Sequence, residues 1–172
     1  VDQRLPVGHQ AGDHEAGRRA QVGGHYRRAG QALDAMGGRS PRAEACVADL
    51  ATAAGRDHVV ATASRWGGQG INVLVNNAGM SPLYESLGTV SEKLFDSVVN
   101  LNFKGPFRLS ALVGERMVAG GGGSIVNVSS SGSLRPDAHM LPYAAAKAGL
   151  NTLTEGFAKA FGPTVRVNTL ME

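Results

Sequence analysis

Tyr143 and Lys147 stand four residues apart in a stretch that reads as a helix, so their side chains share one face. A lysine ammonium beside a phenol favours the phenolate. A tyrosine so placed can exchange a proton with a substrate hydroxyl or carbonyl near neutral pH. The same spacing also suits an ordinary ion-and-ring pair on a solvated helix, so the pair needs company before it implies chemistry. Ser130 lies thirteen residues before Tyr143, just after a strand-like run. Its hydroxyl can hydrogen-bond a substrate oxygen and stabilise developing charge, or simply close a turn. Asn102 falls between apolar neighbours in a helical stretch that disfavours asparagine, as a satisfied polar group at a bend would. Asn76 and Asn77 end another strand-like run, and Gly79 permits a tight turn or a close backbone approach to a ligand.

The elements that must position these residues begin near Ala43. Ala45–Ala48 is a short apolar run ending at Asp49 and reads as a strand. Val59, Val60, Ala63 and Trp66 are spaced for one face of a helix. Ile71–Val75 (INVLV) reads as a fully buried strand running into Asn76-Asn77-Ala78-Gly79. The stretch Ser91–Val118 reads as one long helix, with Phe95, Val98, Val99, Phe103, Leu109 and Met117 among its apolar positions, and the Gly120–Gly123 run stops it. Ser124–Val128 (SIVNV) is a strand leading to Ser130, Tyr143–Phe161 is a helix, and Val165–Leu170 is a last strand. Strands alternating with helical crossovers give a parallel sheet and an α/β fold. Ligands in such sheets bind at the carboxyl ends of the strands, which is where Asn77 and Ser130 fall.

Taken together, these residues resemble the short-chain dehydrogenase/reductase family over about Ala43–Leu170. The motifs are Asn77-Ala78-Gly79 within NNAG, Asn102 within NLNFKG, Ser130 within IVNVSSSG, Tyr143-Ala-Ala-Ala-Lys147, and Arg166-Val167-Asn168 near the end. The resemblance implies a Rossmann-like, doubly wound parallel sheet and an NAD(P)-dependent alcohol/carbonyl oxidoreductase. It implies that Tyr143 is the general acid/base and that Lys147 lowers its pKa and binds the nicotinamide ribose. It also implies that Ser130 orients the substrate oxygen and that Asn102 holds a water in a proton relay. Asn77, Ala78 and Gly79 would lie along the NAD or NADP cofactor, and Asp49 and Leu50 would contact its adenine. No metal is expected. The family's usual dimers or tetramers would use Ser91–Val118 and Tyr143–Phe161, so a homo-oligomer acting on a small alcohol or carbonyl substrate is expected.

Residues 1–42 depart from that pattern. They hold only five Val or Leu, with eight Gly, seven Arg and three His, and no run among them reads as a buried strand. A short helix over Arg27–Met36 is conceivable, but the segment reads as irregular on composition. Glycines at i, i+4 and i+6, as in the family's TGxxxGxG turn, are absent there, and so is GxGxxG. The sheet is therefore expected to be truncated at both ends, with the first two strands unrecognisable and the last one missing. The Ile71–Val75 strand would then be left with an unpaired edge and the Ala45–Ala48 strand without a neighbour. The composition of residues 1–42 suits either a divergent extension or an out-of-frame reading joined to a family member. A catalytically silent fragment acting as a dimerisation module is the alternative to an active enzyme.

Whole-chain composition narrows the remaining classes. The 172 residues are 42% hydrophobic and 18% charged, which excludes a wholly disordered chain. No run approaches the roughly 18 apolar residues of a membrane-spanning helix, so no membrane role is expected. One cysteine, Cys46, cannot form an internal disulfide, and a cytoplasmic domain is expected. Seventeen Lys and Arg stand against fourteen Asp and Glu. The arginine pairs near the start are interspersed with Asp2, Asp13, Glu15 and Asp34, which argues against a nucleic-acid binder.

Overall fold

A computed structural model describes residues 46–67 and 70–172. The segment 1–42, with the helix expected over Arg27–Met36, lies outside the described residues. Val47–Glu172 forms a unit by itself. Its first helix, α1 (Ala53–Gly67), starts on two polar side chains. The Ala51 N–H donates to Asp49 Oδ1 at 3.0 Å, and the Gly55 N–H donates to Thr52 Oγ1 at 3.0 Å. The strand expected at Ala45–Ala48 is not formed over its described part: residues 46–49 join no ladder, and Val47 is 57% exposed. A strand exists only against a partner, and no described strand lies next to this run.

The sheet holds β1 (Val73–Asn76), β2 (Gly123–Val128) and β3 (Val165–Leu170), all parallel and in the order β1-β2-β3. Val75 pairs with Val126, Asn76 with Asn127, and Ile125 with Val167. Side chains alternate across the faces. Leu74, Asn76, Ile125, Asn127 and Val167 point one way, toward the helices packed on the sheet. Val73, Val75 and Leu170 point the other way and are 54–61% exposed. Among the described residues β1 is the outermost strand of the sheet.

The stretch Ser91–Val118 is not one uniform helix. Ser91 caps α2 (Glu92–Val99) by accepting from the Leu94 N–H at 3.2 Å, a π-helical segment follows over Asn100–Lys104, and α3 runs over Gly105–Ala119. Two local causes interrupt the ladder. Asn102 Nδ2 donates to Val98 O at 2.9 Å, four residues back. Pro106 has no N–H to give the Asn102 carbonyl. The chain answers by widening the turn, and the Gly105 N–H reaches Asn100 O, five residues back. Gly121 and Gly122, at φ 92° and 142°, then reverse the chain into β2. Helix α4 (Leu141–Phe161) starts two residues before Tyr143, because Pro142 suits a first helical turn.

The core is Val60, Leu109, Val113, Met117, Ile125, Val165 and Val167. Each of the larger aliphatic side chains contributes about 1.5–3 kcal/mol on burial. Beside it runs a polar belt that ties sheet to helices. Asn76 Nδ2 donates to Asn127 Oδ1 at 2.8 Å and to Ser110 Oγ at 3.0 Å, and Asn127 Nδ2 donates to Thr154 Oγ1 at 2.9 Å. All four residues are buried, so these groups have no water to fall back on. Asn127→Ala removes the middle of the belt and should cost about 2–4 kcal/mol of stability, read as a lowered midpoint in denaturant melts.

Candidate active site

The register Asn76↔Asn127 brings the ends of β1 and β2 side by side, and both strands leave the sheet there. From β1 the chain continues as Asn77-Ala78-Gly79-Met80. From β2 it continues through Ser129 to Ser130. The β2–β3 pairing is prolonged past the strands, with the Ser129 N–H on Leu170 O and the Ser131 N–H on Glu172 O, both at 2.7 Å. That extension fixes the backbone on either side of Ser130.

Helix α4 delivers Tyr143 and Lys147 to this end. The Lys147 side chain is only 4% exposed, and its Nζ donates to Val128 O at 2.6 Å. The same Nζ lies 5.6 Å from the centroid of the Tyr143 ring, within cation–π range. Ser129, fully buried, donates its hydroxyl to Lys147 O at 3.4 Å, a second tie between β2 and α4. Ser130 Oγ accepts from the Gly132 N–H at 3.2 Å. As an acceptor there, the hydroxyl keeps its own proton for another oxygen.

Asn102 comes in from the π segment and is fully buried. Its Oδ1 accepts from the Met80 N–H at 3.1 Å, and its Nδ2 donates to Met80 O at 2.8 Å. The side chain thus clamps the backbone just past Gly79. A Cβ at Gly79 would sit 2.7 Å from Asn102 Oδ1 and 3.7 Å from Lys147 Nζ. Gly79 is therefore the residue that lets the β1 loop close on both side chains at once.

The structure thus gathers Gly79, Asn102, Tyr143 and Lys147, with Ser130 two residues beyond the carbonyl that holds Lys147. Leu50, Asn77 and Ala78 fall together elsewhere, along a groove of about 260 Å3 beside β1 that Leu101 and Pro106 also line. Asp49 does not line it; it is exposed, and its Oδ1 accepts the Ala51 N–H ahead of α1. Two features escaped the sequence reading. The polar belt was signalled by asparagines at the ends of two apolar strands, but its pairing depends on register. Tyr84 carried no signal. Its hydroxyl donates to Ala138 O at 2.6 Å and accepts from the Leu141 N–H at 2.9 Å, which joins the loop after β1 to the start of α4.

Burial pushes the Lys147 amine below its ordinary value of 10.5, and the negative charge of Glu172 opposes that shift. Between the lowered folded value and 10.5, the folded chain binds fewer protons than the unfolded chain, so stability rises with pH over that interval. Lys147→Met removes the effect. The melting temperature of the wild-type chain relative to that variant should climb with pH between the lowered folded value and 10.5 and level off above it, in melts at several pH values. Gly79→Ala should displace the Asn102 amide from Met80 and cost about 1–3 kcal/mol, read in the same melts.

The profile of the short chain dehydrogenase family matches residues 14–171, a span that takes in much of the segment set apart by composition. The Dehydrogenase/reductase SDR family member 4 of Pongo abelii is 35% identical over 141 residues, which is 81% of this chain and 50% of the relative. The crystal structure of the bulky-bulky ketone specific alcohol dehydrogenase of Comamonas testosteroni matches with a TM-score of 0.66 at 31% identity, over 73% of this chain and 50% of that one. A short-chain dehydrogenase from Streptomyces avermitilis matches with a TM-score of 0.70 at 32% identity, over 81% of this chain and 51% of that one. The chain spans about half the length of the relatives it matches. The matched span, the parallel sheet and the motifs at its carboxyl end have one explanation: the chain belongs to the short-chain dehydrogenase family.

Proposed function

We propose that this chain carries the proton-transfer machinery of an NAD(P)-dependent alcohol/carbonyl oxidoreductase. The observation that carries the reading is the buried Lys147 amine, held by Val128 O within 5.6 Å of the Tyr143 ring centroid. In the reducing direction, Ser130 Oγ donates a hydrogen bond to the substrate carbonyl oxygen, and Tyr143 transfers its phenolic proton to that oxygen as the carbon is reduced. The Lys147 ammonium stabilises the phenolate that remains. Asn102 holds Met80 and Gly79 in place through its side chain, while its carbonyl, which Pro106 cannot satisfy, takes the water of a proton relay.

The residues suit the nicotinamide side of the cofactor. Lys147 has three N–H donors and spends one on Val128 O, so others remain for ribose hydroxyls. The bare backbone at Gly79 leaves room for a close approach. On the adenine side, Leu50 and Ala78 offer an apolar wall along the groove beside β1. The nicotinamide, when bound, exchanges a hydride with the substrate carbon. The name of the Comamonas testosteroni relative supports the alcohol/ketone class. A homo-oligomer built on α2–α3 and α4 is part of this reading, since Phe95, Phe107 and Val118 are 38–45% exposed there.

Those same exposed residues favour the second reading, a silent interaction module. Melting the chain with NADH and NADPH separately distinguishes the two. A cofactor at one hundred times its dissociation constant stabilises by about 2.7 kcal/mol and moves the melt by several degrees. One cofactor should raise the midpoint, and Tyr143→Phe should keep that rise while losing about 100-fold or more in turnover. A midpoint that neither cofactor moves supports the module and contradicts the enzyme.

A further inference from the structure

Three residues of α4 fall at i, i+4 and i+8, which keeps them on one side of the helix: Tyr143, Lys147 and Asn151. The first two have roles in the proposed reaction, and the third has an unusual environment. Asn151 Nδ2 donates to Ser133 Oγ at 2.9 Å, and Ser133 Oγ in turn donates to Ser130 O at 2.6 Å. The order of donors fixes the amide. Because the Ser133 hydroxyl spends its only hydrogen on Ser130 O, it can only accept from Asn151, so the amide nitrogen must face it. The amide oxygen is thereby turned away, and Asn151 Oδ1 is the one buried side-chain polar atom among the described residues with no hydrogen-bond partner.

A buried amide oxygen without a partner costs stability, and an apolar side chain of the same size would not bear that cost. The asparagine is thus poorly explained as packing. What it supplies is a side-chain bridge from the Tyr/Lys helix to the turn that carries Ser130. The backbone on either side of Ser130 is held by the Ser129 and Ser131 N–H bonds to β3, and the end of β2 is tied to α4 through Lys147. Past Ser131 the turn has the Gly132 N–H on Ser130 Oγ and the Ser133 N–H on Ser130 O at 2.9 Å, bonds that set its shape, and the Asn151 amide is the side chain of α4 that bonds to it.

We infer that Asn151 is a positioning residue, which through Ser133 sets the Ser130 hydroxyl relative to Tyr143 on the same helix face. The inference rests on the oxidoreductase reading for its catalytic consequence, while the tie itself is tested without turnover. Asn151→Leu, Ser133→Ala and the double variant are compared by amide hydrogen exchange. In each single variant the Gly132, Ser133 and Leu134 amides should exchange about tenfold faster, with β2 amides unchanged and no further gain in the double variant. The melting temperature of Asn151→Leu should not fall, because the orphaned oxygen goes with the side chain. Turnover should drop about tenfold in kcat, with KM for the nicotinamide cofactor and the pH profile unmoved, and Ser133→Thr should retain activity.

Unchanged exchange in the turn, or single effects that multiply in the double variant, would overturn the inference. So would an equal loss of stability and kcat, which marks a merely structural residue. Ser133→Ala lies in a half-buried turn and keeps the test alive if Asn151→Leu fails to fold. Faster exchange in a chain that reduces no carbonyl compound refutes the oxidoreductase reading and upholds the tie.

Discussion

A lysine amine taken out of water must find an acceptor or lose its proton, and Lys147 finds Val128 O at 2.6 Å. That bond requires β2 to end where its last carbonyl can meet α4, and it requires α4 to lie close enough to bury the whole side chain. The four-residue spacing then brings the Tyr143 ring alongside without any further element. Gly79 follows from the same crowding, since a side chain there would enter the space between Lys147 Nζ and Asn102 Oδ1. Burial works against the charge while Glu172 works for it, and the net result is a lowered pKa. An amine so balanced can respond to a phenolate, a sugar hydroxyl or a proton within its reach.

The rest of the architecture holds that junction still. The Asn76–Asn127–Thr154 belt pins both strand ends to α4 and α3 through groups that have no water to exchange with. The π-helical segment places Asn102 by widening one turn of an otherwise regular helix, and Pro106 makes the regular alternative unavailable at that carbonyl. Opposite the helices the sheet leaves Val73, Val75 and Leu170 exposed, and β1 is its outermost strand among the described residues. Order and burial are thus concentrated at the carboxyl end of the strands and on the helical face of the sheet.

Periodicity made much of this legible before any coordinates. Val165–Leu170 has the same bounds in sequence and structure, and β2 differs by one residue. The α4 helix begins two residues early only because a proline fits its first turn. The π segment was hidden because hydrophobic spacing hardly distinguishes one widened turn, and one of its two causes, beside Pro106, is a side-chain bond to the backbone. The Ala45–Ala48 run looked like a strand because apolar residues favour pairing, but pairing needs a neighbour that sequence pattern cannot supply. Lysine is almost never fully buried, so nothing at Lys147 announced its burial. The motif residues around it could be recognised, whereas the carbonyl that holds it, the Tyr84 bridge and the Asn151–Ser133 tie arise only from three-dimensional contact.

The central claim is that Lys147 is a desolvated amine held beside Tyr143 by the end of β2. Its most direct test is a titration of Lys147 itself, followed through the Cε resonance of selectively labelled lysine in the folded chain and assigned with Lys147→Met. The account predicts a midpoint below 10.5 that moves when Glu172 is neutralised by Glu172→Gln, in the direction of a further decrease. A midpoint at or above 10.5, indifferent to Glu172, would mean that the amine stays in water, and the junction described here would not exist.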